Sequence, residues 1–510
     1  MSIVKSIVLP DTYRDSVFLM KLSVQARDAS GAEQISAMMA TERNKDLYQS
    51  SGLLTTEISQ AKPDDLAIAV KAPEDLIDAA LNIVKQMLEA APKKQGQAGR
   101  DIPKTIKEAL DEFEGKTTVL ISSAGDYAAY EAAQAVTYGC DVVLYSDNIS
   151  LENERLLKEL AKKKGCLVMG PDCGTAIIEG IPFAFANKVS KGIVGVIGAS
   201  GTGLQEVTCL LDRLGVGISQ AYGTGGRDLK DEIGGITAIS AFERLIADDT
   251  TKIIGILGKP PGAKTRAKLI ELAKRSPKKV AVHFLGADNY DEEKAANIPY
   301  ANDLTEFSCL LAELANPSLD TKAFFKALPN LVTVKGKYIR GLFSGGTLCQ
   351  ESAEIAGKII GKELYSNLKV QGFGYVNASM QSKGNCFWDF GEDEFTVGRP
   401  HPMMAPELRM DHLVQALVDP EVGVVIADLV IGYGAAEGQA QTFVQAVKRA
   451  ETKSDGKSKN TLIAVSVCGT ELDSPSRTAV KQILEQAGVM VFESNALAAK
   501  WACSVIANNN

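Results

Sequence analysis

Short apolar runs that end at glycine and lead into amphipathic helices recur along this chain, and nothing else in it restricts the fold so strongly. Past Lys116 the runs TTVLISSAG, CDVVLYSD and CLVMGPDCG are separated by the helical stretches DYAAYEAAQAVTYG and ENERLLKELAKKKG. A second series starts at GIVGVIGASG and continues through VGISQAYGTG, KIIGILGKP and KKVAVHFLG to about Asn316. A third starts at KYIRGLFSGG and continues through VGVVIADLVIGYG, NTLIAVSVCG and AGVMVFESN. Uniformly apolar strands alternating with helices predict parallel sheets covered on both faces. The second and third series share one arrangement, in which an apolar strand, a glycine-rich turn and an amphipathic helix precede three further strands. That match predicts an internal duplication.

The two glycine turns carry the clearest chemistry. Strand Val194 to Ile197 meets Gly198-Ala199-Ser200-Gly201-Thr202-Gly203, and strand Ile339 to Phe343 meets Ser344-Gly345-Gly346-Thr347. A helix follows each. The unpaired N–H groups of a helix's first turn and the positive end of its dipole favour an anion there. Glycine lets the backbone approach, and the Ser200 and Thr202 hydroxyls either bond the anion or cap the helix. We therefore expect Ser200, Gly201, Thr202, Gly203, Ser344, Gly345, Gly346 and Thr347 to bind phosphate. No Gly-Lys-Ser/Thr follows either turn, and Gly198-x-x-Gly201-x-Gly203 departs from the dinucleotide order, so neither turn is a nucleotide fingerprint.

Bulk properties limit the alternatives. At 510 residues the chain exceeds a single ordinary core, and a length of roughly 150 residues per domain predicts about three or four. Net charge −8, from 55 Lys+Arg against 63 Asp+Glu, argues against nucleic acid as a partner. The nine scattered cysteines include no Cys-x-x-Cys pair, which predicts neither a disulfide framework nor a zinc site, and no metal is expected. The opening MSIVKSIVLPDTYRDS has no secretory pattern, and no window is long and apolar enough to span a bilayer. A cytoplasmic protein without a membrane partner is the expectation.

Three histidines exist. His283 in VAVHFLG reads as a core or strand-end residue and His412 as surface or structural. His401 is flanked by Pro400 and Pro402, which stiffen its loop. Upstream, Phe387-Trp388-Asp389-Phe390-Gly391-Glu392-Asp393-Glu394 crowds acids near a turn. His401, Arg399 and Asp389 are thus the catalytic candidates: a carboxylate to orient the imidazole or bind an amide, and a guanidinium to pair with a carboxylate or phosphate. A solvated acidic turn is the bland alternative. Arg227, Asp228, Lys259 and Asp428 fall at strand ends, where ligands of open α/β sheets bind, and form a second tier.

These residues carry a family resemblance. MGPDCGTAII (169–178) followed by VGVIGASGTGLQEV resembles the succinyl-CoA synthetase α subunit, in which a Gly-Pro-Asn-Cys turn precedes Ser-x-Ser-Gly-Thr. GLFSGG with CFWDFGEDEFTVGRPHPM is similar to the CoA-ligase domain of that enzyme's β subunit. With GRDL, KPPG and GRPHPM, the chain is identified as a member of the FdrA family of succinyl-CoA-synthetase-like proteins. The resemblance implies a fold of three consecutive parallel-sheet domains, Rossmann-like and flavodoxin-like, plus a small N-terminal α/β unit. The divisions are 1–116, N-terminal unit and linker; 117–188, Rossmann-like CoA-binding-type domain; 189–316, first CoA-ligase-like domain; 317–336, connector; and 337–510, second CoA-ligase-like domain. It also implies that the two turns converge on one phosphate.

The departures from the family pattern shape the functional expectation. LGADNYDEEKAANIPYAND (285–303) has no histidine where the synthetase carries its phosphohistidine, no ATP-grasp stretch is legible, and Ile121-Ser122-Ser123-Ala124-Gly125-Asp126 replaces the CoA-binding glycine turn. The resemblance then implies a subunit of an acyl-phosphate-using transferase, with oxamate carbamoyltransferase of allantoin catabolism as the leading reaction: carbamoyl phosphate and oxamate give oxalurate and phosphate. The alternatives are an acyl-CoA synthetase relative and a regulatory subunit that senses phosphate or a CoA ester. CoA stays open as a cofactor. Separate partner subunits, or a homo-oligomer, are expected.

Overall fold

The structure, a computed structural model, describes residues 2–14, 16–90, 103–112, 115, 117–287, 289–325, 328–397, 399–454 and 460–509. Most of the expected linker after Ala91, and Gly398, lie outside them. The chain divides into two compact units, Met1–Ile102 with Thr396–Pro400, and Pro103–Phe395 with His401–Asn510.

The first unit is built on a three-stranded antiparallel sheet. Leu66–Pro73 is its central strand, between Ser2–Leu9 and Gln34–Met39. The period of two divides the central strand's side chains between two cores. Leu66, Ile68, Val70 and Ala72 pack with residues of helices Ser16–Ser30 and Ile77–Ala90, whereas Ala67 and Ala69 pack with Tyr48, Leu53 and Ile58. The mainly apolar runs 6–9 and 66–72 both lie in this sheet.

The second unit is mixed α/β with parallel sheets, as expected. A small parallel sheet pairs Asp141–Leu144 with Thr118–Ile121 and Val168–Met169. A six-stranded sheet runs Lys279–Phe284, Ile253–Gly258, Lys191–Gly198, Ile218–Gly223, Thr175–Ile178, Ile181–Ala184; its first four strands are parallel and the last two form an antiparallel hairpin edge. A seven-stranded parallel sheet runs Gly374–Tyr375, Leu364–Ser366, Asn385–Asp389, Tyr338–Phe343, Val422–Val430, Leu462–Cys468, Met490–Phe492.

Aligned on their first strands, Lys191–Gly198 and Tyr338–Phe343, the two larger sheets share a central order: Ile218–Gly223 or Asn385–Asp389 lies on one side, and Ile253–Gly258 then Lys279–Phe284, or Val422–Val430 then Leu462–Cys468, on the other. This is the flavodoxin-like arrangement, in which the chain reverses direction across the sheet beside the first strand and leaves a crevice at its carboxyl end. Each glycine turn opens at that crevice. The helices that follow, Gly201–Arg213 and Gly346–Ile359, contribute to one hydrophobic core. It contains Leu204, Val207 and Leu211 from the former and Leu348, Cys349, Ala353 and Ala356 from the latter, together with Trp501 from Asn495–Asn509. That shared core fixes one glycine turn relative to the other. Among the described residues no helix is long and apolar enough to cross a membrane.

Candidate functional site

Ser200 is the N-cap of the Gly201–Arg213 helix: its backbone is extended and its Oγ accepts the Gly203 N–H at 3.1 Å. The same Oγ lies 2.5 Å from Thr347 Oγ1 in the first turn of the Gly346–Ile359 helix. The two glycine turns therefore touch. Between them and the adjoining strand ends lies a cavity of about 180 Å3, lined by Ser200, Gly201, Gly346 and Thr347. A cavity of that volume has room for several waters or one compact ligand.

The eight expected phosphate residues do not all face this space. Ser200, Gly201, Gly346 and Thr347 line it. Gly203 has its N–H committed to the cap, and Thr202 packs where a Gly345 Cβ would stand, 2.9 Å from its Cγ2. The Ser344 N–H and hydroxyl both donate to Asp428 Oδ1, at 2.8 and 2.9 Å, and the Gly345 N–H donates to Asp428 Oδ2 at 2.7 Å. The second-tier residue Asp428 thus plays the anion for that turn. Buried Arg409 balances its charge, with Nη1 2.6 Å from Asp428 Oδ1 and 2.8 Å from its carbonyl. Gly345 caps the following helix with no side-chain bond of its own.

Asp389 closes the strand Asn385–Asp389 and lines the cavity. Its Oδ1 accepts the Gly391 N–H at 2.8 Å. Burial, reinforced by the Glu392 and Asp428 carboxylates and opposed by the Gly391 bond and Lys259, pushes its pKa up to about 8. Near neutral pH it is a carboxylic acid and so a hydrogen-bond donor. His401 lies on the other side of Gly391, whose Cβ would sit 2.8 Å from His401 Nε2 and 3.1 Å from Asp389 Oδ1. His401 Nδ1 accepts the Met403 N–H at 3.2 Å, so the ring's proton is on Nε2. Burial and the nearby Arg409 charge lower its pKa to about 4. Arg399 is an exposed residue of the other compact unit.

Lys259, Thr175 and Asp172 also line the cavity. Lys259 follows the strand Ile253–Gly258 and supplies the lining with its one Lys or Arg among the described residues. Thr175 opens the hairpin strand Thr175–Ile178; its Oγ1 is buried, without a hydrogen-bond partner, and 3.8 Å from where a Gly201 Cβ would stand. Asp172 sits at the mouth with a left-handed backbone, φ 58°. Desolvation by the surrounding protein and the carboxylates of Asp147, Asp393 and Glu392 outweigh Arg227 and raise it to about 6. Cys173, His283 and Glu392 complete the ionisable lining. Asp228 turns inward: it caps the Ile236–Ala247 helix through the Thr237 and Ala238 N–H groups and pairs with buried Lys158 at 2.8 Å. Among the described residues no group of three His, Cys, Asp or Glu is placed to hold a metal ion.

Three family models match the chain: the AllF heavy metal-associated domain over residues 1–103, the CoA binding domain over 189–286 and the CoA-ligase domain over 342–505. Residues 1–103 contain neither Cys nor His, and so offer no thiolate or imidazole to a soft metal. The chain is 37% identical over 499 residues to the protein YahF of Escherichia coli (strain K12), with 96% of each chain covered. It is 28% identical over 223 residues to the ADP-forming succinate–CoA ligase subunit alpha of Staphylococcus aureus (strain Mu50), covering 41% of this chain and 71% of that one. Acetyl-coenzyme A synthetase 1 of Ca. Korarchaeum cryptofilum matches in structure with a TM-score of 0.36 at 15% identity, over 80% of this chain and 85% of that one.

Proposed function

Because the chain belongs to the FdrA family and carries CoA-binding and CoA-ligase domains like those of succinyl-CoA synthetase, we propose that it transfers an acyl group from a ready-made acyl phosphate. The observation that carries this reading is the contact of Ser200 with Thr347, which joins two helix N-termini at one small cavity. The phosphoryl group lies against the first turns of Gly201–Arg213 and Gly346–Ile359. The Ser200–Thr347 hydroxyl pair supplies one further hydrogen, and the Thr175 hydroxyl, Lys259 and the protonated Asp389 supply others. As the bond from acyl carbon to phosphate oxygen breaks, charge grows on that oxygen, and donors already aimed at it lower the barrier; one such donor is worth about 10²–10³ in rate elsewhere. The histidine-free segment 285–303 supports a phosphate that arrives on the substrate.

The family's domains favour the thiol of CoA, taken as a substrate, for the acceptor. The helix Gly125–Thr137 begins at Ala124 with no side-chain cap, which leaves first-turn N–H groups for CoA phosphates. The small volume of the cavity favours a second acceptor, oxamate, which with carbamoyl phosphate gives oxalurate and phosphate. Separate partner subunits complete the enzyme in either reading.

Phosphate release from acetyl, succinyl or carbamoyl phosphate, each with CoA or oxamate and with or without co-expressed neighbouring gene products, tests the proposal. Release that depends on one acceptor is expected. No release from any pair, with inorganic phosphate failing to shift the melting temperature, overturns it.

A further inference from the structure

His283 is a buried polar group that the phosphate-binding reading leaves without a task. It is 1% exposed, lies on the strand Lys279–Phe284 opposite Leu257, and lines the cavity. Its Nδ1 is 3.0 Å from the Ala301 carbonyl. A carbonyl only accepts, so Nδ1 carries the proton and Nε2 keeps a lone pair. That Nε2 is buried and has no hydrogen-bond partner within the protein.

The charge state follows from the surroundings. Burial lowers the pKa of His283 below the ordinary histidine value; the Ala301 carbonyl, Asp303 and Glu306 oppose that shift, and Lys358 adds to it. The ring is neutral at pH 7. The helix N–H groups, the hydroxyls and Lys259 offer hydrogens to an anion, whereas His283 offers a lone pair. An unsatisfied buried acceptor is costly, so the site favours a ligand that brings an S–H, N–H or O–H to it.

We propose that His283 is the general base of the acyl transfer, an assignment that rests on the acyl-phosphate reading above. The acceptor's S–H or N–H hydrogen lies on Nε2. As sulfur or nitrogen bonds the acyl carbon, the carbon–oxygen bond to phosphate breaks and its electron pair leaves on the phosphate oxygen. The acceptor's proton passes to Nε2. The imidazolium then gives that proton to the departing phosphate, so acyl phosphate and H–X become acyl–X and hydrogen phosphate, and His283 returns to its neutral form.

The test uses the full chain with whatever partner subunits turnover requires. His283→Ala and His283→Gln are expected to lower kcat by roughly 10²–10⁴-fold, with the KM for acyl phosphate little changed. Added imidazole restores part of the rate to His283→Ala, in proportion to its free-base fraction. The acid limb of the wild-type pH profile, below pH ~6.5, is expected to flatten in both variants. Either folded variant turning over like wild type overturns the assignment.

With three histidines, ¹⁵N-histidine NMR of the wild type gives a readout independent of activity and of any variant's folding. His283 Nε2 is expected to resonate as an unprotonated nitrogen and to move when CoA or oxamate is added with inorganic phosphate. A protonated Nε2, or one that no acceptor moves, also overturns the assignment. If the wild type releases no phosphate while the Nε2 signal moves, the acyl-phosphate reading and the base role fall together, and His283 remains the acceptor of a ligand hydrogen.

Discussion

Ser200 Oγ and Thr347 Oγ1 lie 2.5 Å apart across 147 residues of chain. Two hydroxyls carry two hydrogens, and their mutual contact uses one; Ser200 Oγ accepts from Gly203 besides. One hydroxyl hydrogen is left for a ligand, and the bond between the two hydroxyls aims it, so that losing either hydroxyl weakens the ligand's bond even though the other keeps its own hydrogen. The two residues nevertheless differ in their duties, because only Ser200 caps its helix. Thr347→Val should weaken inorganic phosphate binding about tenfold, the scale of one hydrogen bond to a charged group, with little change in stability. Ser200→Ala should weaken binding and also cost ~1 kcal/mol of stability. Calorimetric titration with phosphate and urea unfolding separate the two effects. Thr347→Val binding phosphate like wild type would reduce the contact to packing.

The glycines of the two turns are not equivalent. A Cβ on Gly201 would meet nothing closer than 3.8 Å, whereas one on Gly346 would stand 2.5 Å from Asp389 Oδ2 and one on Gly345 2.9 Å from Thr202. Gly201→Ala should therefore be stable to within ~1 kcal/mol of wild type, since the new methyl clashes with nothing and alanine favours the helix. Gly346→Ala and Gly345→Ala should each cost about 1–3 kcal/mol, because their neighbours are held in place. Urea midpoints for the three variants give the comparison. Equal losses at Gly201 and Gly346 would contradict it.

Asp389 makes the site sensitive to alkali. Its pKa is raised to about 8, so between the ordinary carboxylate range and that value the folded protein holds a proton that the unfolded chain has released. Its contribution to stability is full below pH ~4 and declines as pH rises through 8, by on the order of a few kcal/mol. Phosphate affinity should fall over the alkaline part of the same range as a donor becomes an anion. Asp389→Asn keeps a neutral group of the same shape and should flatten both dependences. Unfolding and phosphate titration of the pair at pH 6, 7, 8 and 9 provide the measurement, and parallel curves would remove Asp389 from the site.

Much of this arrangement is legible in the sequence because it rests on local pattern. Runs such as GIVGVIG and VGVVIADLV declare buried parallel strands, and the glycine turns follow from Ser, Gly and Thr at a strand-to-helix junction. Elements with weak local pattern are hidden. The strand Asn385–Asp389 is masked by the acids that follow it, and Leu364–Ser366 and Gly374–Tyr375 hold only three and two residues. The site's division of labour is a matter of distant partners. Asp428 takes the N–H groups of Ser344 and Gly345 from over 80 residues away, and His283 owes its free nitrogen to the Ala301 carbonyl. Neither pairing has a sequence signature. His283 reads as core because its strand neighbours in VAVHFLG are apolar, and only the cavity beside it marks it for the role proposed above.

The wall formed by Ser344 and Gly345 depends on a charge pair that lies behind it. Asp428 lies within a strand of otherwise apolar residues and is fully buried, and Arg409, also buried, is its ion-pair partner among the described residues. Arg409 has Nε and Nη2 without hydrogen-bond partners, so the pair is held mainly by Nη1. Removing one member strands the other's charge in a medium that solvates it poorly. Arg409→Leu should destabilise the protein by about 3–5 kcal/mol, and replacing both residues by apolar ones of similar volume should recover part of that loss. Function separates the variants further. The double replacement removes the acceptor that holds the Ser344 and Gly345 N–H groups, so the second turn should lose its geometry and phosphate binding even where stability returns. Stability recovered together with full phosphate affinity would show that Asp428 does not shape the turn.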